Sequence, residues 1–166
     1  KITINGTLVT IEDTVNTRTI TIGKKQHSFT RYVKRFIAGG QALQERENGL
    51  RTISPNQEIV IYVPDKGAAK EYPLYCGLPT KHRIKVPLVI DAPFMLTTSR
   101  EEIESGSHLW NDRVKNEMYA AILSVFEIRK HSKRSKLLRY VRFSHRRVGT
   151  QSIYINELSD SSYLND

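Results

Sequence analysis

VPLVIDAPFMLTTSREEIESGSHLWNDRVKNEMYAAILSVFEI, residues 86–128, changes its hydrophobic period partway along. Val86–Ala92 is the pattern of a short buried strand, closed by Pro93 and followed by the apolar triplet Phe94-Met95-Leu96. Beyond Ser107 the period becomes helical. Trp110, Val114, Met118, Ile122, Val125 and Phe126 fall at spacings of four, four, four, three and one, which places them on one helix face. Ser107 stands as the N-cap, since its side chain can accept from an unpaired amide of the first turn, and the pattern predicts a helix to about Ile128.

Working outward, the residues before this stretch are strand-like. Glu58–Val63 (EIVIYV) is a buried strand closed by Pro64-Asp65 and Gly67, and Tyr72–Leu78 is another. Pro73, Pro79, Pro87 and Pro93 are expected to bracket these strands, because proline brings no N–H to a ladder. At the N-terminal end Ile2, Ile4, Leu8 and Ile11 are spaced as in a half-buried strand. Asn5-Gly6 is a tight-turn signal, and Arg18–Ile22 alternates threonine with isoleucine. Asn16 lies in the polar connection. Phe29–Ile37 admits a helix or a strand, and Gln41–Asn48 a short helix or a loop, with Gly39-Gly40 as the breaker between them. Downstream, Leu137, Leu138 and Val141 suit a second, shorter helix, and Ser152–Ile155 a brief strand. Strands first and helices afterwards argue for an α+β fold, a mixed and largely antiparallel sheet covered by C-terminal helices. Residues 1–149 are expected to form one domain, with 150–166 a tail or the start of a following one.

A chain of 166 residues supports one core. No apolar run approaches the roughly 20 residues that cross a bilayer, so no membrane association is expected. Cys76 is the single cysteine, which excludes an intramolecular disulfide framework, fits a small buried hydrophobe, and suits a reducing, cytoplasmic setting. Lys1 opens the chain without a Met or a signal-peptide pattern, as in a processed or excised piece.

Charge is unevenly spread. The formal net charge is +9, and Arg129, Lys130, Lys133, Arg134, Lys136, Arg139, Arg142, Arg146 and Arg147 supply as many positive charges with no acid among them. Such a run either lies along a solvated face or contacts the phosphates of a nucleic acid. Tyr140 and Phe143 interleave it at spacings that suit a helix core. His27, His82, His108, His131 and His145 show no metal-ligand spacing, Asp13, Asp65 and Asp91 sit in separate contexts, and neither a nucleophile elbow nor a phosphate-cradling glycine loop occurs. The chain does not read as a complete enzyme by itself. The turn Thr97-Thr98-Ser99-Arg100-Glu101, between a strand end and the capped helix, can hold a charged side chain towards an adjacent site. Arg100 is the candidate, because a guanidinium offers a fixed fork of donors to phosphate; pairing with a neighbouring acid is the alternative.

Here the sequence resembles a known family. Leu78-Pro79-Thr80, Val86-Pro87-Leu88, Phe94-Met95-Leu96-Thr97-Thr98-Ser99-Arg100-Glu101 and Leu109-Trp110-Asn111 resemble the segment that follows the ATPase module in sacsin-like proteins. Ser99-Arg100-Glu101 is also similar to the N-L-S-R-E catalytic loop in the middle domain of the ninety-kilodalton heat-shock chaperones; both are GHKL ATPases. Lys1–Val9 looks like the strand that commonly follows a GHKL nucleotide domain. The resemblance covers roughly residues 58–128 and implies a middle, or transducer, domain. It implies that Arg100 reaches in trans to the γ-phosphate of ATP held by a neighbouring N-terminal GHKL domain, with Thr98, Ser99, Glu101 and Asn111 supporting the loop. Asn111 would either bond the loop backbone or cap a helical turn. The chaperone loop carries a glutamine where this chain has Glu104, and a carboxylate there repels phosphate unless it holds Mg²⁺ or turns away. The metal-binding helix and base-binding loop of a GHKL nucleotide pocket are not found, so no cofactor is expected on this chain alone, with ATP and Mg²⁺ in the neighbouring domain. The expected partners are that ATPase domain and, through the basic run, nucleic acid; a homodimer stays open.

Overall fold

The computed structural model describes residues 1–47, 53–66, 71–84, 86–106, 108–130, 143–148, 151–156 and 164–165. Asn5 and Gly6 both take left-handed backbone angles, φ 47° and 75°, which is what a two-residue hairpin turn needs. That turn joins β1 (Ile2–Ile4) to β2 (Thr7–Asp13), and β3 (Thr17–Ile22) and β4 (Lys25–Ile37) continue the meander. The segment that admitted either helix or strand is therefore strand. Its helical spacing arises because the apolar residues serve two faces: Phe29 and Val33 occupy one side of β4, Tyr32 and Phe36 the other.

After α1 (Gly40–Glu47), the sheet is completed by β5 (Asn56–Pro64), β6 (Tyr72–Cys76), β7 (Leu78–Ile84) and β8 (Val89–Asp91). The long helix α2 spans Leu109–Lys130. β9 (Phe143–Val148) and β10 (Gln151–Asn156) form a separate hairpin, and β11 (Leu164–Asn165) adds to β7. The order in the large sheet is β1-β2-β3-β4-β5-β8-β6-β7-β11, antiparallel throughout except between β6 and β8. The fold is α+β: a mostly antiparallel mixed sheet with a C-terminal helix. The boundary expected between residues 149 and 150 falls between the paired strands β9 and β10.

α2 lies across one side of the sheet. Trp110, Val114, Met118, Ile122, Val125 and Phe126, the face anticipated from periodicity, are at most 2% exposed and meet Ile59, Ile61, Val63, Leu74, Leu88 and Ile90. Each such side chain contributes about 1.5–3 kcal/mol by leaving water, so this layer holds the fold together.

Several expectations need correction. Pro73 and Pro79 lie inside strands, opposite Arg83 and Tyr75, and the register shifts between Pro73 and Tyr75. The shift is where a ladder lacking one donor is expected to break step. β7 follows β6 immediately, through Gly77 at φ 71°, whereas only one strand was anticipated there. The first paired carbonyl at the start of α2 is that of His108, which accepts from Asp112 N at 2.9 Å; Ser107, the expected N-cap, lies outside the described residues. The second helix expected around Leu137, Leu138 and Val141, and Tyr140, also lie outside them. Phe143 begins strand β9 and does not continue a helix.

Candidate functional site

β8 delivers the chain to the base of α2, where five hydrogen bonds fix its path. Around Pro93 the backbone makes a tight turn, Phe94 N to Ala92 O at 2.9 Å, and the Trp110 indole donates to Pro93 O at 2.7 Å. Asn111, 8% exposed, accepts from Met95 N at 2.7 Å through Oδ1 and donates through Nδ2 to Met95 O and Glu104 O, each at 3.3 Å. Of the two roles considered for Asn111, the loop brace is the one observed.

From Met95 the chain forms a small hairpin. Glu104 N donates to Met95 O (3.0 Å), Leu96 pairs with Ile103, and Thr97 N donates to Glu102 O (2.9 Å). Arg100 N closes the turn on Thr97 O at 2.8 Å. Ser99 Oγ lies 3.0 Å from Thr97 Oγ1 and accepts from Glu101 N at 3.4 Å, and Thr98 is exposed at the tip. β7 anchors the hairpin from outside. Lys81 N donates to Glu101 O at 2.7 Å, Lys81 Nζ pairs with the Glu101 carboxylate at 2.7 Å, and His82 Nε2 accepts from Ile103 N at 2.9 Å. The last contact requires a bare Nε2, so the ring proton sits on Nδ1.

Arg100 therefore stands at the tip of a turn tied to both sheet and helix. Its φ of 61° is left-handed, a conformation that costs a non-glycine residue about 1 kcal/mol and persists where surrounding bonds enforce it. Its side chain is exposed and makes no ion pair among the described residues. The adjacent acids are engaged elsewhere: Glu101, and at 3.8 Å Glu102, face Lys81, whose ammonium is held above its ordinary pKa chiefly by the Glu101 hydrogen bond. Glu104 is in the ladder opposite Met95, set back from the turn that carries Arg100.

Lys81, His82 and Glu45 were not singled out in the sequence. Glu45 of α1 accepts from Trp110 N at 2.8 Å and approaches His108 Nδ1 at 3.4 Å, which caps α2 from another element. The readable hint is an acid in a segment that admits a helix; its partner lies 65 residues away. Cys76 is half-buried, donates from Sγ to Phe94 O at 3.3 Å, and has its thiol pKa pushed up, mainly by burial.

The basic run is divided. Arg129 and Lys130 end α2, and Arg146 and Arg147 occupy β9 opposite Ile153 and Ser152. Lys133, Arg134, Lys136, Arg139 and Arg142 lie outside the described residues. Among the described residues no group of three or more His, Cys, Asp or Glu is placed to hold a metal, and no helix is long and apolar enough to cross a membrane. Comparison with protein-family models, curated proteins and solved structures finds no match to this chain.

Proposed function

We propose that this chain is a transducer domain of a sacsin-like, GHKL-type ATPase, with the fold role of a chaperone middle domain. Arg100 then serves in trans, donating its guanidinium to the γ-phosphate of ATP that a neighbouring domain holds with Mg²⁺. The observation that carries this reading is the setting of Arg100: exposed, without an acid partner among the described residues, and fixed in left-handed backbone by a turn bonded to β7 and α2. A cation presented on a rigid support loses little freedom when it meets an anion, and it acts only when the domains approach. Hydrolysis is thereby coupled to domain closure. Glu101, Ser99 and Asn111 position the turn, and Thr98 lies beside Arg100 at its crown.

In the longer protein that carries the ATPase module, Arg100→Ala is expected to lower turnover by about 10³-fold or more while nucleotide affinity changes little. Unchanged turnover refutes the reading. The acid-free run from Arg129 to Arg147 supports a second reading, a nucleic-acid contact. It predicts an affinity for nonspecific duplex DNA that falls steeply with salt. Affinity that is absent at low salt, or insensitive to salt, removes it.

A further inference from the structure

Two histidines hold the segment that carries Arg100, and their hydrogen bonds demand opposite things of the ring. His82 reaches the returning arm of the hairpin from β7, where its Nε2 accepts from Ile103 N at 2.9 Å. A backbone amide can only donate, so this bond exists only while Nε2 is bare. His108 stands at the foot of α2. Its Nε2 lies 3.2 Å from Ser105 O and its Nδ1 3.4 Å from Glu45 Oε1. Both of these neighbours are acceptors. A neutral ring with its proton on Nε2 satisfies Ser105 O, and a second proton, on Nδ1, faces a carboxylate. Charging the ring therefore breaks the contact of His82 and adds to those of His108.

We propose that His82 is an acid-operated latch: on taking a proton it drops Ile103 N and loosens the Arg100 turn on its β7 side, while His108 keeps the segment seated at α2. Nothing beside the ring offsets the new charge. His82 is half-buried, on the side of β7 that carries the buried Thr80 and Ile84, and it makes no ion pair among the described residues. Lys81 and Arg83 alternate to the other side of the strand, where Glu101 and Glu102 face the one and Glu71 the other, at 3.7 Å. On β6 the titratable group is Tyr72, opposite Ile84, and β11 pairs only with Ile84 and Arg83. From the hairpin, Glu104 and Arg100 form no ion pair among the described residues, and α2 sends no charged group into a bond with the ring. A released Ile103 N–H has no other described acceptor. Imidazole gains its proton near pH 6.5, where the carboxylates that hold Lys81 stay ionised. Lys81 is then the remaining hydrogen-bonded tie between hairpin and β7 among the described residues. The latch acts on the turn itself and does not depend on what Arg100 meets.

NMR of the whole chain between about pH 5 and 8, following the histidine rings and amide exchange together, tests this. The protection of the Ile103 amide, corrected for intrinsic exchange, is expected to fall about tenfold on acidification, with the midpoint of the His82 ring. Asp112, whose amide bonds His108 O, should keep its protection. His82→Gln, whose Oε1 accepts at any pH, should hold Ile103 protected throughout, and His82→Ala should leave it unprotected throughout. Should the alanine variant fail to fold, the glutamine variant and the wild-type titration supply the same readout. Ile103 protection that ignores pH, that follows the His108 ring, or that falls equally in His82→Gln overturns the proposal.

Discussion

Replacing Asn111 with alanine removes three hydrogen bonds from a buried position, and their geometries set the size of the effect. The bond from Met95 N, at 2.7 Å, is the short one, and without it that amide has no other described acceptor. A part-buried donor left unpaired costs about 1–3 kcal/mol. The two 3.3 Å bonds from Nδ2 matter less, because Met95 O keeps the bond from Glu104 N and only Glu104 O loses a partner. Together these give a loss of about 2–3 kcal/mol, or roughly 4–12 °C in Tm for a domain of this size. Urea unfolding measures the total, and amide hydrogen exchange shows where it falls. Met95 and Glu104 should lose protection, whereas Met118 and Ile122, in the middle of α2, should keep theirs relative to global stability. Asn111→Asp should recover only part of the loss, since it keeps the acceptor for Met95 N but turns a carboxylate towards two carbonyl oxygens. A stability change under about 0.5 kcal/mol with unchanged exchange at Met95 would refute the assignment of Asn111 as the brace of the Arg100 turn.

Arg100→Gly should separate fold from function: relief of the left-handed strain is expected to leave stability unchanged or raise it by up to about 1 kcal/mol, while ATP turnover in the longer protein falls as it does for alanine. A loss of more than 1 kcal/mol in thermal unfolding would mean that the side chain, and not the backbone, holds the turn. Glu45→Ala should destabilise the protein by about 1 kcal/mol by uncapping α2, and Glu45→Gln, which keeps an acceptor for Trp110 N, should recover about half; equal losses for the two would make the carboxylate charge the important feature. Burial raises the Cys76 thiol pKa in the folded state, so the folded chain keeps a proton that the unfolded chain releases. This contribution is intact below the ordinary thiol value of 9.0 and declines as pH rises through it. Cys76→Ala should flatten that decline in urea midpoints between pH 8 and about 10, and an identical pH slope in both proteins contradicts it.

What could be read from the sequence was set by local periodicity. Asn5-Gly6 specifies its turn chemically, EIVIYV is apolar enough to be buried on both faces, and the Trp110 to Phe126 stripe repeats over four turns. Each carries its information within a few residues. β7 was missed because Leu78–Ile84 holds a proline, a lysine, a histidine and an arginine; it is a strand because β6 and β11 pair with it. The supports of the Arg100 turn divide in the same way. Asn111 was accessible because it adjoins the helix start, whereas Lys81, His82 and Glu45 act across distant parts of the chain, where spacing has no bearing on contact. The spacing of Ile2, Ile4, Leu8 and Ile11 announced β-structure, but it grouped Leu8 with the isoleucines, whereas the register puts Leu8 with Thr3 on the other side. It did not say which side of the sheet the isoleucines take, since this depends on the register with β4.

β4 pairs with β3 through Lys25–Thr30 and with β5 through Phe29–Ile37, so the two ladders overlap only at Phe29 and Thr30. Across this seam Arg18 stacks on the Tyr62 ring at 4.5 Å, and Thr30 Oγ1 donates to Asp65 at 3.0 Å. With a splice this short, only two residues of β4 are laddered on both sides, so the meander and the helix-backed half share little of the sheet's hydrogen bonding. Tension applied to β1 would reach the helix-backed half through β4 and these few contacts, with Arg31 N to Asn16 O at 2.7 Å and Asp65 N to Ser28 O at 3.0 Å, and they set how far the meander yields before the whole domain does.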